Sequence, residues 1–446
     1  MKTIIIGGVA AGMSAASKLK RLLKDKVEIV VYEKGGEVSY GACGIPFYIS
    51  DHIKQGKELI VRTAEEFAQS GIPVKIYHEV TAVDTDAKTV TVKNLHTGEI
   101  FTDSYDKLVI GSGAGVRHFP PFDKKYENLF EIRDVADGTR VKTALFDEEN
   151  KNVVIVGAGF IGLEVAEACR RYGKEVTVVE LAPRILASFD PELSEALTAE
   201  MEKNGVKVCT ETAVTELIAK EGHIVKVVMK HGEEMIEIPA DMVINSAGIA
   251  PATAFINNVE KARNGAILVN ERMETNIPDV YAAGDCSIMK SAITGEYTYA
   301  PLGTNANKQG RIIGDILGGA EPKPFKLIGS SALRLFGLDA AKVGLSEQEA
   351  KAKGMNYKAH TITGNSYASY YGTEKLNIKL IYDAETRKIL GAETWGQGIV
   401  VPRANYYAIA IYSGLTVDEM GFMDLCYSPP FSGVWDAALI ASNTAK

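Results

Sequence analysis

A single cysteine lies in residues 39–46, Ser-Tyr-Gly-Ala-Cys-Gly-Ile-Pro, a segment that could place a thiol at the start of a helix. Pro46 is tolerated in a first helical turn, because its missing N–H has no partner within the helix there. The sulfur of Cys43 would then lie at the helix start, a position that lowers the pKa of a thiol and favours the thiolate. A thiolate can attack sulfur or pass electrons, so Cys43 is the candidate redox-active residue.

The other four cysteines are scattered along the chain without paired spacing. We expect Cys169, Cys209 and Cys426 to be small buried hydrophobic residues and Cys286 to pack beside a cofactor. Unpaired cysteines are typical of a reducing compartment. The chain also enters a strand at once, with no signal-peptide pattern, and we therefore predict a cytoplasmic location.

A glycine-rich turn in the middle of the chain has the context of a nucleotide-binding site. The apolar residues 153–156 lead into Gly-Ala-Gly-Phe-Ile-Gly at 157–162, and residues 163–172 are compatible with a helix. Such glycines permit a tight turn and close approach to a pyrophosphate, while the helix N-terminus supplies N–H groups. The following strand ends in Glu180, about 20 residues past the turn, where a carboxylate binds a ribose 2′-OH and repels a 2′-phosphate.

This pattern favours NADH over NADPH, although Arg184 could soften the preference and NADPH stays possible. The predicted ligands of this cofactor are Gly157, Gly159, Phe160, Ile161, Gly162 and Glu180.

The same pattern opens the chain. Residues 3–6 lead into a glycine turn at 7–12, a helix at 13–23 and a strand at 27–32 that ends in Glu33, with Val9 in place of the middle glycine. Two such units suggest two dinucleotides, and their order suggests FAD at the start and NAD in an insertion. The predicted FAD ligands here are Gly7, Gly8, Ala11, Gly12, Glu33 and Lys34.

An interrupted FAD domain must resume downstream. Residues 275–285 are predicted to form a short strand that ends in Gly-Asp, which places one carboxylate where a ribityl hydroxyl could bind. Residues 107–114 and 242–248 are the predicted crossing points between the two dinucleotide domains. These segments add as predicted ligands Ser112, Gly113, Gly248, Gly284 and Asp285.

The composition agrees with a multidomain globular enzyme. The 446 residues fit three domains of ordinary size, with 24% charged and 46% hydrophobic residues and no run long enough for a membrane span. A net charge of −8 argues against a nucleic-acid partner. We also predict no metal and no membrane partner.

Over essentially its whole length the chain resembles the single-cysteine class of the pyridine nucleotide-disulfide oxidoreductases. Coenzyme A disulfide reductases, NAD(P)H sulfur or polysulfide reductases, NADH oxidases and NADH peroxidases belong to this class, and Cys43 stands where glutathione-reductase-like members carry a cysteine pair. The resemblance implies an α/β fold with two Rossmann-like dinucleotide-binding domains and an α+β dimerisation domain. The implied parts are an FAD-binding domain at 1–112 and 246–322, an NAD(P)-binding domain at 113–245, and a dimerisation domain at 323–446.

One position separates the chemistries of this class. Peroxidases and water-forming oxidases carry a histidine inside the first glycine turn, whereas disulfide and sulfur reductases have small residues there. This chain has Ala10, which favours a sulfur substrate.

The resemblance also implies residues for the substrate and for proton transfer. Tyr427 resembles a tyrosine that reaches across a homodimer toward the cysteine, and Tyr370 and Tyr371 resemble a pair that lines the disulfide pocket. Pro301, Leu302 and Gly303 open a helix that would face the flavin. Residues at coenzyme A contact positions are Ser14, Lys18, Arg21, Ser39 and Asn307, the last in place of a histidine.

The predicted function is therefore transfer of hydride from NADH through FAD to Cys43, which reduces a disulfide, persulfide or polysulfide, with coenzyme A disulfide or a coenzyme A persulfide as the favoured substrate. Two alternatives stay open. One is an NADH oxidase in which Cys43 cycles through a sulfenic acid. The other is a non-catalytic redox sensor that binds FAD and NADH.

Overall fold

The computed structural model describes residues 1–372 and 374–446. Two compact units are present. The first consists of Met1–His118, Glu131–Ala144 and Gly248–Leu327, and the second of Phe119–Phe130, Leu145–Ala247 and Ile328–Lys446. The three-domain boundaries drawn from the sequence stay a prediction.

The first unit is built around a parallel sheet whose strands are continuous apolar runs, as expected for strands covered on both faces. Its strand order is Val280–Ala282, Lys107–Ile110, Lys2–Ile6, Glu28–Tyr32 and Val74–Lys75. The long helices Ala10–Leu23 and Gly303–Leu317 pack together at backbone contact, since a Cβ on Gly310 would lie 2.2 Å from the carbonyl oxygen of Ala11. The opening glycine turn and the downstream half of the domain are thus held side by side.

Smaller elements complete the first unit. Two of its small sheets are antiparallel: one consists of His78–Asp84, Thr89–Asn94 and Ile100–Ser104, and the other of Ala114–Val116 and Ile249–Pro251. A third sheet is mixed, since Ser287–Lys290 pairs in parallel with Ile267–Leu268 and antiparallel with Tyr297–Thr298. Its further helices are Ile45–Ile49, Ala64–Gln69 and most of Val135–Phe146.

The second unit contains another parallel sheet, and its first helix, Phe160–Arg171, follows a glycine turn as in the first unit. The strand order is Val206–Cys209, Glu175–Val179, Asn152–Val156, Met242–Asn245 and Leu129–Phe130. A three-stranded antiparallel sheet is formed by Thr212–Lys220, His223–His231 and Glu234–Pro239.

The C-terminal part of the second unit is an antiparallel sheet covered by helices. Its strand order is Ser330–Leu335, Leu338–Gly344, Ile389–Gly396, Lys375–Asp383 and Tyr357–Asn365. The helices are Pro191–Lys203, before this sheet in the chain, and Glu347–Ala352, Val401–Ser413, Val417–Gly421 and Ala437–Thr444. Within residues 1–372 and 374–446, no helix has the length and apolar character needed to cross a bilayer.

Both helices after the glycine turns begin three residues earlier than predicted, at Ala10 instead of Met13 and at Phe160 instead of Leu163. The helical backbone starts as soon as the turn has reversed the chain. The third glycine of each turn, Gly12 or Gly162, therefore lies inside the first turn of its helix.

Buried charges join the helix Pro191–Lys203 to the C-terminal sheet within the second unit. Lys379, with a side chain only 3% exposed, makes ion pairs with Asp190 at 3.3 Å, Glu192 at 2.9 Å and Glu347 at 2.7 Å. Glu393 accepts a hydrogen bond from the amide of Asp190 at 3.0 Å. Burial, and then the charge of Asp190, raises the pKa of Glu393 to about 8.

The raised pKa of Glu393 predicts a pH-dependent stability. Between about pH 4.5 and 8 the folded chain keeps a proton on Glu393 that the unfolded chain has released, so stability falls as pH rises through this window. Glu393→Gln keeps the acceptor and stays neutral. We expect the urea midpoint of Glu393→Gln to rise relative to that of the wild type between pH 5.5 and pH 8.5. The exposed change Glu195→Gln, on the helix Pro191–Lys203, should leave its difference from the wild type constant over the same range. Parallel pH curves for wild type and Glu393→Gln would contradict this assignment.

Candidate active site

Cys43 lies in an exposed turn that is tied to the first glycine turn. The 3-10 turn Ala42–Gly44 contains it and leads into the helix Ile45–Ile49, so the predicted helix start is present in a helix of only five residues. The amide of Ser39 donates to the carbonyl of Gly8 at 2.9 Å. This bond fixes the cysteine segment beside the predicted FAD site, and the exposure of Cys43 leaves its sulfur accessible to a substrate.

The first glycine turn is closed by Glu33. One carboxylate oxygen of Glu33 accepts from the amide of Gly8 and the other from the amide of Gly35, both at 2.7 Å. A Cβ on Gly12 would lie 1.9 Å from the carbonyl oxygen of Gly7, so helix and strand pack too closely for any other residue. Half-buried Val9 occupies the place of the middle glycine, and Ala10 begins the helix.

The remaining predicted residues of the first unit differ in surroundings. Ala11 is buried, and Lys34 is exposed beside Glu33. The Ser112 hydroxyl donates to the Ala252 carbonyl at 2.7 Å, and Gly113, which follows it, has a positive φ.

The second glycine turn repeats this arrangement in the second unit. Glu180 accepts from the amides of Ala158 and Ala182 at 2.7 Å each. A Cβ on Gly162 would lie 2.1 Å from the carbonyl oxygen of Gly157. A Cβ on Gly159 would meet nothing within 4 Å, so the space beside the start of the helix Phe160–Arg171 is open.

Open space at a helix N-terminus is what a pyrophosphate needs, because the free amides there can donate to its oxygens. Gly159 meets this condition in the second unit. In the first unit the Cβ positions of Gly248 and Gly303 are equally open, and Gly303 begins a helix directly after the half-buried Pro301 and Leu302. The half-buried Phe160 and Ile161 lie in the first turn of their helix. These residues fit the dinucleotides that the sequence predicts.

Arg184 is held by hydrogen bonds within the second unit. Its guanidinium donates to the carbonyls of Phe189 at 3.3 Å and Ala187 at 3.1 Å, and to the side chain of Gln348. The guanidinium that could have weakened the predicted preference for NADH over NADPH is therefore already hydrogen-bonded to other protein groups.

Asp285 lies in the turn Gly284–Cys286, at the end of the strand Val280–Ala282. Burial raises the pKa of its carboxyl, and the guanidinium of Arg133 opposes the rise. The amide of Gly284 donates to the Gln309 side chain at 2.7 Å, which orients the turn on the helix Gly303–Leu317. Arg133 lies far from Asp285 in the chain and carries no motif, so the sequence analysis missed it.

Of the residues predicted to contact coenzyme A, the structure brings Ser14 and Asn307 into contact. The Ser14 hydroxyl donates to the Asn307 side chain at 2.8 Å, across the packed helices. Lys18 makes an ion pair with Asp315 at 2.8 Å, while Arg21 is exposed. A phosphate at Lys18 would therefore have to compete with an existing carboxylate.

The predicted tyrosines lie in the second unit, and two of them pair. The hydroxyls of Tyr370 and Tyr427 are 3.0 Å apart, and this hydrogen bond raises the pKa of Tyr427. Tyr371 instead packs edge-on against Tyr367, with ring centroids 6.1 Å apart. Tyr370 is thus the member of the pair that accompanies Tyr427.

The other cysteines divide by exposure. Cys169 and Cys286 are buried, and burial raises the pKa of both thiols, that of Cys169 to about 12. Cys209 is half-buried, and burial raises its pKa as well. The prediction for Cys426 was wrong, because this residue is exposed in an irregular segment between helices.

Glu164, on the helix after the second glycine turn, is a second titratable residue with a shifted pKa that the sequence analysis did not single out. It lies one turn into the helix Phe160–Arg171, where burial, and then the charge of Glu167, raises its pKa to about 7. The only signal in the sequence was an acidic residue two positions after Gly162, the third glycine of the second glycine turn.

Comparison with known proteins identifies the family. Residues 1–310 match the family model described as pyridine nucleotide-disulphide oxidoreductase, and residues 331–439 match the model of its dimerisation domain. An NADH oxidase from Methanocaldococcus jannaschii is 34% identical over 456 residues, with 100% of this chain and 98% of that protein covered.

Two solved structures are similar in fold. Reduced CoADR-RHD from Bacillus anthracis is 32% identical, with a TM-score of 0.94 and coverage of 99% of this chain and 79% of that one. A NAD-dependent persulfide reductase from A. fulgidus is also 32% identical, with a TM-score of 0.93 and coverage of 99% and 82%.

These matches confirm the predicted α/β fold class and the prediction of an oxidoreductase, and they support FAD and NADH as cofactors. The chain belongs to the pyridine nucleotide-disulphide oxidoreductase family.

Proposed function

We propose that this protein uses NADH to reduce a disulfide, persulfide or polysulfide at Cys43, and that coenzyme A disulfide or a coenzyme A persulfide is the substrate. The observation that carries the proposal is the exposed Cys43 in a turn hydrogen-bonded through Ser39 to the first glycine turn. Ala10 at the start of the following helix adds support, because it provides no histidine for peroxide chemistry.

The residues of each unit have separate tasks in this proposal. FAD, when bound, supplies two-electron transfer from NADH to sulfur. Gly7, Gly12, Glu33 and Asp285 would hold it in the first unit, by close backbone approach and by acceptors for ribose and ribityl hydroxyls. In the second unit, the turn at 157–162 and Glu180 would hold NADH.

Cys43 performs the sulfur chemistry. Its thiolate attacks one sulfur of the substrate, the substrate S–S bond breaks, and a mixed disulfide with Cys43 forms while the first thiol leaves with a proton. Two electrons then cleave the mixed disulfide, the second thiol leaves with a proton, and the Cys43 thiolate is regenerated. One NADH and one proton are consumed for each disulfide reduced to two thiols.

Tyr427 is the proposed proton donor, supplied by the partner subunit of a homodimer. The match to a dimerisation domain supports a homodimer. Exposed apolar side chains around this segment also support a protein partner, among them Phe422, 79% exposed, and Val434, 71% exposed. A phenol whose pKa is raised by Tyr370 stays protonated at neutral pH and can donate to a departing thiolate.

The substrate class is tested by anaerobic NADH consumption. The flavin-loaded protein is given coenzyme A disulfide, then a coenzyme A persulfide, then polysulfide, with air admitted last. Turnover before air identifies a sulfur reductase, and comparison of kcat/KM among the acceptors identifies its substrate. Turnover only after air would overturn the proposal, and no turnover with any acceptor would leave the redox sensor.

Oxygen reduction is the second candidate, favoured by the name of the Methanocaldococcus jannaschii relative. In that case Cys43 would cycle through a sulfenic acid. Dimedone labelling of Cys43 during aerobic turnover would detect this species.

Tyr427→Phe should lower kcat for disulfide reduction by about 10²-fold, the usual contribution of a positioned acid. In the wild type, activity should fall as pH rises through the raised pKa of Tyr427, because the donor is then deprotonated. This alkaline limb should be absent from the variant. Both effects are read from pH profiles of kcat with coenzyme A disulfide.

The control for this change is Tyr357→Phe, which removes a hydroxyl that donates to Glu347 at 3.4 Å in the same domain. It should leave the pH profile unchanged. Equal losses in both variants would assign the effect of Tyr427 to folding and remove it from proton transfer.

A further inference from the structure

A fully buried arginine joins the two segments that carry the tyrosine pair. Arg403, only 1% exposed, occupies the first turn of the helix Val401–Ser413. Its guanidinium donates to the carboxylate of Asp436 at 2.8 and 3.3 Å, to the carbonyls of Ser366 at 2.9 Å and Phe431 at 3.1 Å, and to the carbonyl of Ile399. One side chain thus binds the backbone of three separate segments.

Two of these segments carry the paired tyrosines. Ser366 is four residues before Tyr370, and Phe431 is four residues after Tyr427. The two segments also contact each other directly, since the amide of Ala368 donates to the carbonyl of Pro429 at 3.2 Å. The distance between the tyrosine hydroxyls therefore depends on the backbones that Arg403 joins.

The chemistry of this contact suits arginine alone. A guanidinium presents five donors in a rigid plane, and here they serve one carboxylate and three carbonyls at once. A lysine has one nitrogen and cannot span these acceptors. A buried ion pair adds little net stability because of the cost of desolvation, so its main consequence here is a fixed geometry.

We propose that Arg403 is a positioning residue that holds the Tyr370 and Tyr427 segments so that the two hydroxyls pair. This inference rests on the proposed function, in which Tyr427 donates a proton to the leaving thiolate.

Arg403→Lys tests the proposal, because it keeps the charge beside Asp436 and removes the planar fork. We expect kcat for coenzyme A disulfide to fall about 10-fold, with flavin content and the KM for NADH unchanged. Because the effect acts through Tyr427, Arg403→Lys combined with Tyr427→Phe should be no slower than Tyr427→Phe alone. Multiplied losses in the double variant would overturn the proposal.

A second readout does not depend on turnover. Carbon NMR of tyrosine labelled at the phenolic carbon gives the titration of Tyr427, assigned by its loss in Tyr427→Phe. Release of the pair should return the pKa of Tyr427 toward its ordinary value. If Arg403→Lys moves this titration but Tyr427→Phe leaves kcat intact, the proton-donor role of Tyr427 in the proposed function fails and the positioning of the pair by Arg403 stands. If Tyr427→Phe is slow and Arg403→Lys changes neither readout, the positioning role fails.

The matched control is Arg387→Lys. Arg387 makes a two-bond pair with Asp418, at 2.6 and 2.8 Å, and donates to the carbonyl of Ala445 at 3.1 Å, without contact to either tyrosine segment. Kinetics and the Tyr427 titration should match the wild type, and equal effects in both lysine variants would overturn the proposal. If Arg403→Lys does not fold, Asp436→Asn replaces it, because asparagine can keep the hydrogen bond that Asp436 accepts from the amide of Ala438.

Discussion

Cys43→Ser should retain flavin and lose disulfide reduction by at least about 10³-fold. A serine hydroxyl has nearly the shape of the thiol, but its pKa is far too high for it to attack a disulfide without an adjacent base. The turn Ala42–Gly44 and the bond between Ser39 and Gly8 do not involve the sulfur, so the fold around the flavin site should persist. The measurement is anaerobic NADH consumption with coenzyme A disulfide, alongside the visible flavin spectrum.

Cys426→Ser is the matched control, because Cys426 is also exposed and lies next to Tyr427. Its turnover should equal that of the wild type. Full turnover in Cys43→Ser would exclude a covalent role for this sulfur, and equal losses in both variants would show that the loss in Cys43→Ser is not specific to Cys43.

The sequence predicts contacts between residues that are close together in the chain better than contacts between residues that are far apart in it. Each of the two nucleotide-binding motifs lies within about 30 residues, because its strand, glycine turn, helix and second strand follow one another in the chain. The residues around Glu33 and Glu180 could therefore be predicted, and the structure gives both carboxylates the same two-amide arrangement. The two helices begin three residues earlier than predicted, because the third glycine of each turn is part of the helix.

The contacts that alter these predictions come from distant parts of the chain. Arg184 donates a hydrogen bond to the side chain of Gln348, 164 positions away, and Lys18 makes an ion pair with Asp315 on the packed helix Gly303–Leu317. No pattern around Arg184 or Lys18 records these partners. Arg403 illustrates the same limit, since only the fold shows that its donors meet three separate segments.

The second large effect concerns the choice between NADH and NADPH. Glu180 follows its strand and both of its carboxylate oxygens accept from amides, which holds the carboxylate beside the glycine turn, where it would repel the 2′-phosphate of a bound NADPH. The next residue, Leu181, is 73% exposed, and an arginine there would extend into solvent without displacing packed atoms. Arg184 cannot serve instead, because its bonds to carbonyls hold it within its own loop.

Glu180→Ser combined with Leu181→Arg should change the ratio of kcat/KM for NADPH to that for NADH by about 10³-fold. Loss of a charged hydrogen bond to the ribose accounts for about 10- to 100-fold, and a new charge-assisted bond to the 2′-phosphate accounts for the rest. Met235→Arg, at an exposed site in the same unit, controls for added positive charge and should leave the ratio unchanged. An unchanged ratio in the double variant would show that Glu180 holds the turn without contacting the ribose.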